Sequence, residues 1–451
     1  MKKIAYLLIL LVLLAVFVLV GKNKLAAFYY NRGDDYYEKH LYKEAVSYFN
    51  KSLRLNPSAS VAHYGLANAY VQQKLEDAAR AEYKKALQLD RRFMLAYEAL
   101  AESYIRSKLY QESMAILKEA EVLSPGNKKI QDLMDYASSK YMAYLLNTGI
   151  DAFSSGEKTK AYELLHKALQ IDPDFIFARY MLADFYYIDR DYEPAIALAD
   201  EIILRDSNFF LAYKLLGDIY FREGIFDKAV SAYRKAWALD KNEPVIANNL
   251  GLALMNLENY REAVPYLEEA LRLDPGNINF RYSLASIYRD QGRLKEAVLE
   301  YGNVISAQPD YPNVHNDLGD IYTREARPKE ALSAYRQEMD LCLNKLSADP
   351  FDPVALNDIA HAYNGAGEYN KAREFINKAL IISPGYREAY LTLAAIERNL
   401  GNPAKALAAL EKAKTLTRGG QFFIDQAIYE VKALKLPVGV RLKNEPYLKS
   451  Q

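Results

Sequence analysis

FLAYKLLGDIYFREGIFDKAVSAYRKAWALDKNE, residues 210–243, is one period of a pattern that governs most of this 451-residue chain. Its Ala229 belongs to a series spaced by 34 residues, Ala161, Ala195, Ala229, Ala263, Ala297 and Ala331, which runs earlier as Ala45, Ala79 and Ser113 and later as Ala372 and Ala406. A second marker twelve residues downstream gives Pro57, Pro125, Pro173, Pro275, Pro309 and Pro384. A beat of this length points to an array of helical hairpins. Such an array needs no single large core, because each hairpin packs on its neighbours.

Counted so that the recurrent alanine is position 20, periods begin at Ala26, Ser60, Met94, Met142, Ile176, Phe210, Pro244, Ile278, Pro312, Pro353 and Arg387, giving eleven units. In unit six, Tyr213, Leu216, Gly217 and Tyr220 lie three and four apart, the spacing of an amphipathic helix. A polar turn, Arg222-Glu223-Gly224, leads to a second stripe at Ala229, Tyr233 and Ala236. Position 8 reads Gly33, Ala67, Ala101, Gly149, Ala183, Gly217, Gly251, Ala285, Gly319, Ala360 and Ala394. Residues that small let one helix settle closely against another. Position 11 is aromatic at Tyr36, Tyr70, Tyr104, Tyr186, Tyr220, Tyr288, Tyr322 and Tyr363, and a flat side chain fills the space that small residues leave. Proline or a polar substitute at position 32 ends the second helix, while Pro194, Pro328 and Pro403 fall near second-helix starts, where a missing N–H costs least.

This pattern resembles the tetratricopeptide repeat family over about Ala26 to Thr417. The resemblance implies an all-α fold, a right-handed superhelical α-solenoid of about eleven hairpins. Departures include Ser113 at position 20, Glu338 at position 27, and Ala152, Leu254 and Glu397 at position 11. Pro125 to Pro173 spans 48 residues and Pro309 to Pro350 spans 41, insertions of 14 and 7 that approximate whole turns. They predict a long first helix in unit four, Lys128 to Phe153, and a long second helix in unit nine, Lys329 to Leu346, either projecting from the array or packed locally. Residues 418–436 read as a capping helix and residues 437–451 as a mobile tail.

The first 24 residues read differently. An uncharged apolar run from Ile4 to Val20 lies between Lys2-Lys3 and Lys22-Asn23-Lys24. Seventeen residues reach roughly 26 Å, close to what a bilayer core requires. The run lacks the A-x-A spacing of a cleaved leader, so the expectation is one transmembrane helix preceding the array, a single-pass anchor in a bacterial inner membrane with the body outside the cytoplasm. Lysines on both sides leave that orientation weakly specified.

Charge balances at 58 basic and 58 acidic residues, which gives no field for nucleic acid. Cys342 is the only cysteine and reads as a small core residue. Phosphate-binding, dinucleotide, zinc-protease and nucleophile-elbow motifs are absent, and His40, His63, His166, His315 and His361 are scattered. The reading is therefore not an enzyme, with no cofactor and no metal. The family resemblance implies that first helices line a concave groove exposing positions 2, 5, 9, 12 and 13 to a protein or peptide partner. From unit six to unit ten these positions hold Lys214, Asp218, Arg222, Asn248, Asn256, Tyr282, Arg289, Asn316, Asp320, Arg324, Asn357, His361 and Asn364. Asn248, Asn316 and Asn357, all at position 5, are suited to hold a peptide backbone from an exposed wall. The earlier units are more apolar there, with Tyr30, Tyr64, Leu146, Ile150, Phe153, Phe177, Tyr180, Tyr187, Leu211 and Phe221. The expected function is a membrane-anchored scaffold for an envelope assembly, secretion or polysaccharide-export system. An accessory subunit presenting substrates to a separate enzyme such as a glycosyltransferase, and a self-associating structural element, are the alternatives.

Overall fold

A computed structural model describes the backbone of residues 2–416 and 422–433 and the side chains of residues 20–416 and 424–432. Among the described residues every regular element is an α-helix, and the chain divides into two compact bodies, Met1–Met181 and Leu182–Gln451. The first contains α1 (Lys2–Glu38), α2 (Tyr42–Leu55), α3 (Ser60–Gln72), α4 (Glu76–Leu89), α5 (Met94–Arg106), α6 (Tyr110–Leu123), α7 (Lys128–Ser154) and α8 (Lys158–Ile171). After α9 (Ile176–Ile188), the second contains α10 (Tyr192–Arg205), α11 (Phe210–Arg222), α12 (Phe226–Leu239), α13 (Pro244–Asn256), α14 (Tyr260–Leu273), α15 (Ile278–Asp290), α16 (Leu294–Ala307), α17 (Val314–Arg324), α18 (Pro328–Ala348), α19 (Pro353–Gly365), α20 (Tyr369–Ile382), α21 (Arg387–Asn399), α22 (Pro403–Thr415) and α23 (Phe422–Ala433). Consecutive helices pair as hairpins, α1 with α2, α3 with α4, α11 with α12 and so on through α21 with α22.

The hairpins close on the small residues. All eleven position-8 residues are buried, as are all eleven at position 20. A methyl added at Gly217 would stand 2.5 Å from Cδ1 of Tyr233, at Gly251 2.6 Å from Cδ2 of Leu267, and at Gly33 2.8 Å from Cδ1 of Phe49. Position 8 of the first helix therefore receives the side chain of position 24 on the second. Phe49 is gripped twice, by Gly33 of its own hairpin and Gly65 of the next, and Tyr335 likewise lies between Gly319 and Gly365.

One turn chemistry ends every first helix. Position 15 is left-handed throughout: His40, Lys74, Lys108, Arg190, Glu258 and Ala326, and the glycines Gly156, Gly224, Gly292, Gly367 and Gly401. The amide of the next residue reaches back to the carbonyl of position 11, as in Leu75 to Tyr70 at 2.9 Å and Arg327 to Tyr322 at 2.8 Å, satisfying carbonyls that the helix end would orphan.

The long helices form where the insertions place them, α7 with 27 residues and α18 with 21. Neither stands away from the array. Ile130, Ala137, Tyr141 and Leu145 of α7 are buried, with Ile130 and Ala137 in one cluster with Tyr97 and Ala120. Met339 and Cys342 of α18 are buried with Ile359 and Ala362 of α19. Whole-turn insertions keep the apolar stripe in line, so the added turns bury it on the neighbouring helix instead of projecting.

At the C-terminal end Ile424, Ile428 and Val431 of α23 cover Ala409, Leu410 and Ala413. The tail expected at 437–451 lies outside the described residues. So do the side chains of the run expected to span a membrane, apart from Val20. Among the described residues no helix is long and apolar enough to cross one. The helix α1 itself is continuous from Lys2 to Glu38.

Four substitutions test this packing and the turn that follows each first helix. Gly217→Ala lowers the urea midpoint by an amount equivalent to about 1–3 kcal/mol, because the methyl meets a ring held in the core. Gly302→Ala in α16, where nothing lies within 4 Å of the added carbon, leaves the midpoint unchanged or raises it by up to about 1 kcal/mol. Conversely, Ala326→Gly relieves a left-handed alanine and raises the midpoint by about 1 kcal/mol, while Gly224→Ala lowers it.

Candidate functional site

The first helices of the second body carry polar side chains that are tied to one another across hairpins. Asp218 of α11 is the first hub. Lys214 Nζ donates to Asp218 Oδ2 at 2.8 Å, Tyr233 Oη to Oδ1 at 2.7 Å, and Asn249 Nδ2 of the next unit to Oδ1 at 3.1 Å. Arg222, an exposed residue, donates from Nε to Tyr187 Oη at 2.5 Å, and its guanidinium lies 4.9 Å from the centre of the Tyr187 ring.

A second hub is Asp317 of α17, 8% exposed. Tyr282 Oη donates to Asp317 Oδ2 at 2.9 Å, and the Arg289 guanidinium pairs with Oδ1. Burial pushes the Asp317 carboxyl up, against the pull of Arg289, so the ion pair is bought with desolvation. Burial acts to lower the Arg289 value, and Asp317, Tyr301 and Asp290 together more than reverse it.

Next along the same wall, Tyr335 Oη donates to Asp320 Oδ1 at 2.6 Å, and His361 Nε2 of α19 lies 3.2 Å from Asp320 Oδ2. Burial opposes ionisation of both partners, yet their mutual hydrogen bond and charge prevail. Asp320 is held below the usual carboxylate value and His361 above the usual imidazole value.

These contacts relocate part of the expected groove. Lys214, Asp218, Asn256, Tyr282, Arg289, Asp320, His361 and Asn364 are half-buried, and Arg222 and Arg324 are exposed. The three position-5 asparagines are not on an exposed wall: Asn248, Asn316 and Asn357 are 7%, 3% and 8% exposed. Asn316 Nδ2 donates to the backbone carbonyl of Asp358 at 3.1 Å, so it fastens α17 to α19. Position 5 faces the adjacent first helix because neighbouring units stack closely enough to cover it. In the first body, Tyr30 lies 5.7 Å from Phe49 and Tyr64 5.0 Å from Phe93, which makes these groove tyrosines partly core residues.

Sequence reasoning missed Asp317 and Asn249, both at position 6, and the part played by position 24. A signal for the latter was present. Where position 24 is tyrosine, the residue fifteen places earlier is polar and bonds its hydroxyl: Tyr83 with Asn68, Tyr233 with Asp218, Tyr301 with Ser286 and Tyr335 with Asp320. The core ring thereby sends its polar tip to the wall.

Stacked hairpins with this residue pattern define a helical repeat array. Family models described as tetratricopeptide or TPR repeats match residues 30–92, 152–219, 217–258, 248–312, 315–349, 354–386 and 388–419. The chain is built of tetratricopeptide repeats. No curated protein matches it by sequence. Among solved structures it is similar to yeast Tom70, with 19% identity, 92% of this chain and 96% of that one covered, and a TM-score of 0.43. It is also similar to Pseudomonas aeruginosa pilF, with 16% identity, coverage of 52% and 98%, and a TM-score of 0.42. YrrB, described as a TPR protein with an unusual peptide-binding site, is similar at 20% identity, coverage of 50% and 95%, and a TM-score of 0.34.

The Asp320–His361 pair sets a pH window. The raised His361 value contributes stability that is complete below the free imidazole value of 6.5 and is lost as pH rises through the folded value. The depressed Asp320 value contributes stability present above 3.8 and lost as pH falls through its folded value. The melting difference between wild type and His361→Gln is therefore largest between about pH 4 and 6.5 and shrinks as pH rises through the folded His361 value, as thermal denaturation followed by circular dichroism will show.

Proposed function

We propose that the protein is a membrane-tethered scaffold that binds a protein or peptide partner along its first helices and carries out no catalysis of its own. The observation that carries the reading is the series of fixed polar groups on α11, α15, α17 and α19. Asp218, Arg289, Asp320 and His361 are half-buried, and each is held by a partner from a neighbouring helix. A partner meeting such a wall finds donors and acceptors already oriented, so little ordering entropy opposes binding. The exposed arginines Arg222 and Arg324 add charged heads that suit carboxylates on that partner.

Support for the tether is the uncharged run Ile4 to Val20, flanked by lysines and joined to the first hairpin through one continuous helix. A bacterial envelope assembly, secretion or polysaccharide-export system, with the array outside the cytoplasm, is the setting consistent with such an anchor. Presentation of substrates to a separate enzyme, or self-association, would use the same wall.

A photo-crosslinking residue placed at Arg222, Arg324 or Asn364 in cells is expected to give a discrete adduct, while the same residue at Arg272 or Lys378 on second helices gives none. Equal crosslinking from both sets would contradict the assignment. An adduct of twice the chain mass identifies self-association. Protease digestion of intact spheroplasts is expected to remove the array, and full protection would place it on the cytoplasmic side.

A further inference from the structure

Several departures from the repeat meet at one place in the second body. Position 27 holds alanine, serine, valine or isoleucine in ten units, but in unit nine it is Glu338, which is 1% exposed. One turn further along α18 stands Cys342, fully buried, and across from them on α19 is Asp358, 3% exposed. One ligand atom from each of the three lies within 4.8 Å of the others.

The polar substitutes elsewhere at small-residue positions are satisfied by backbone. Ser52 Oγ donates to the Ala26 carbonyl at 2.8 Å, and Ser113 Oγ to the Ala101 carbonyl at 3.0 Å. Glu338 is different: Oε1 lies 3.6 Å from Cys342 Sγ, and Oε2 is buried with no hydrogen-bond partner. Beside it Asn357 Nδ2 donates to Asp358 Oδ1 at 3.3 Å and leaves its own Oδ1 buried and unpartnered. A buried carboxylate at a position built for alanine is expensive unless something of opposite charge meets it.

Burial, and then the charge of Glu338, push the Asp358 carboxyl up to about 6, and burial pushes the Cys342 thiol up. The geometry suits a metal ion. Zinc bonds of about 2.3 Å to sulfur and about 2.0 Å to oxygen in a tetrahedron set the two ligand atoms roughly 3.5 Å apart, close to the Sγ–Oε1 separation.

We propose that Glu338, Cys342 and Asp358 bind one divalent transition-metal ion of the zinc class, with an oxygen ligand such as the Asn357 amide or water completing the shell. On binding, a metal–sulfur bond forms as the S–H bond breaks, and the proton leaves to solvent with any proton held by the carboxylates. No electron is transferred. The thiolate and two carboxylates outweigh the dication by one negative charge, and Lys345 exerts its positive charge on both Cys342 and Asp358. The ion would staple α18 to α19 where the seven-residue extension of α18 begins.

The test uses the full chain, stripped with a chelator and titrated with Co2+ as a spectroscopic stand-in at pH 7.5. One cobalt ion per chain is expected, with a thiolate-to-cobalt absorption band that added Zn2+ abolishes. Cys342→Ser should remove the band, and Asp358→Asn should weaken cobalt binding by about tenfold or more while the circular dichroism spectrum stays unchanged. Glu338→Gln should behave as Asp358→Asn does, and if it fails to fold the Asp358 variant still decides. Wild type that takes up no cobalt, or variants that bind it as tightly as wild type, would overturn the proposal.

Discussion

The close approach of two helices at position 8 is the constraint on which the rest of the architecture depends. Each hairpin brings a glycine or alanine of its first helix against the position-24 side chain of its second, and at Gly217 and Gly251 there is no room for even a methyl group. Repetition turns this local fit into a fold, because within each body neighbouring hairpins cover one another's faces. The double grip on Phe49 and Tyr335 shows the same device joining neighbouring hairpins. Where position 8 is alanine, as at Ala67 and Ala285, it shares a buried cluster with the tyrosine at position 24, Tyr83 and Tyr301.

The wall of first helices inherits its chemistry from that packing. Tyrosine at position 24 is core along its ring and polar at its tip, so the contact that closes a hairpin also orients Asp218 or Asp320 on the wall. Closure of the hairpin and the polarity of the wall are therefore coupled through single residues. Position 15 adds a second constraint, a left-handed residue that reverses the chain after each first helix, whatever side chain stands there.

Much of this was legible in the sequence. The 34-residue phase located the helices, and the insertions located α7 and α18, because periodicity survives even where individual residues depart from it. What was not legible depended on distances between units. Asn248, Asn316 and Asn357 look like groove residues when a helix is read alone, and become buried once the next helix is laid beside it. The left-handed turn was hidden for a different reason: only five of the eleven positions are glycine, and His40, Lys74 or Glu258 carries no sign of the backbone it adopts. The local packing of the long helices was open because whole turns preserve a stripe without saying what covers it.

The central claim is that position 8 and position 24 are fitted to each other, and a double-mutant cycle on Gly251 and Leu267 in the full chain tests it most directly. Unit five already holds the smaller combination, Ala183 with Ala199, both buried. If the account is right, Gly251→Ala is destabilising with Leu267 in place and costs less, or nothing, with Leu267→Ala, giving a coupling of about 0.5–3 kcal/mol in urea unfolding. Strictly additive losses would contradict it, since two side chains that do not compete for the same space have no reason to compensate.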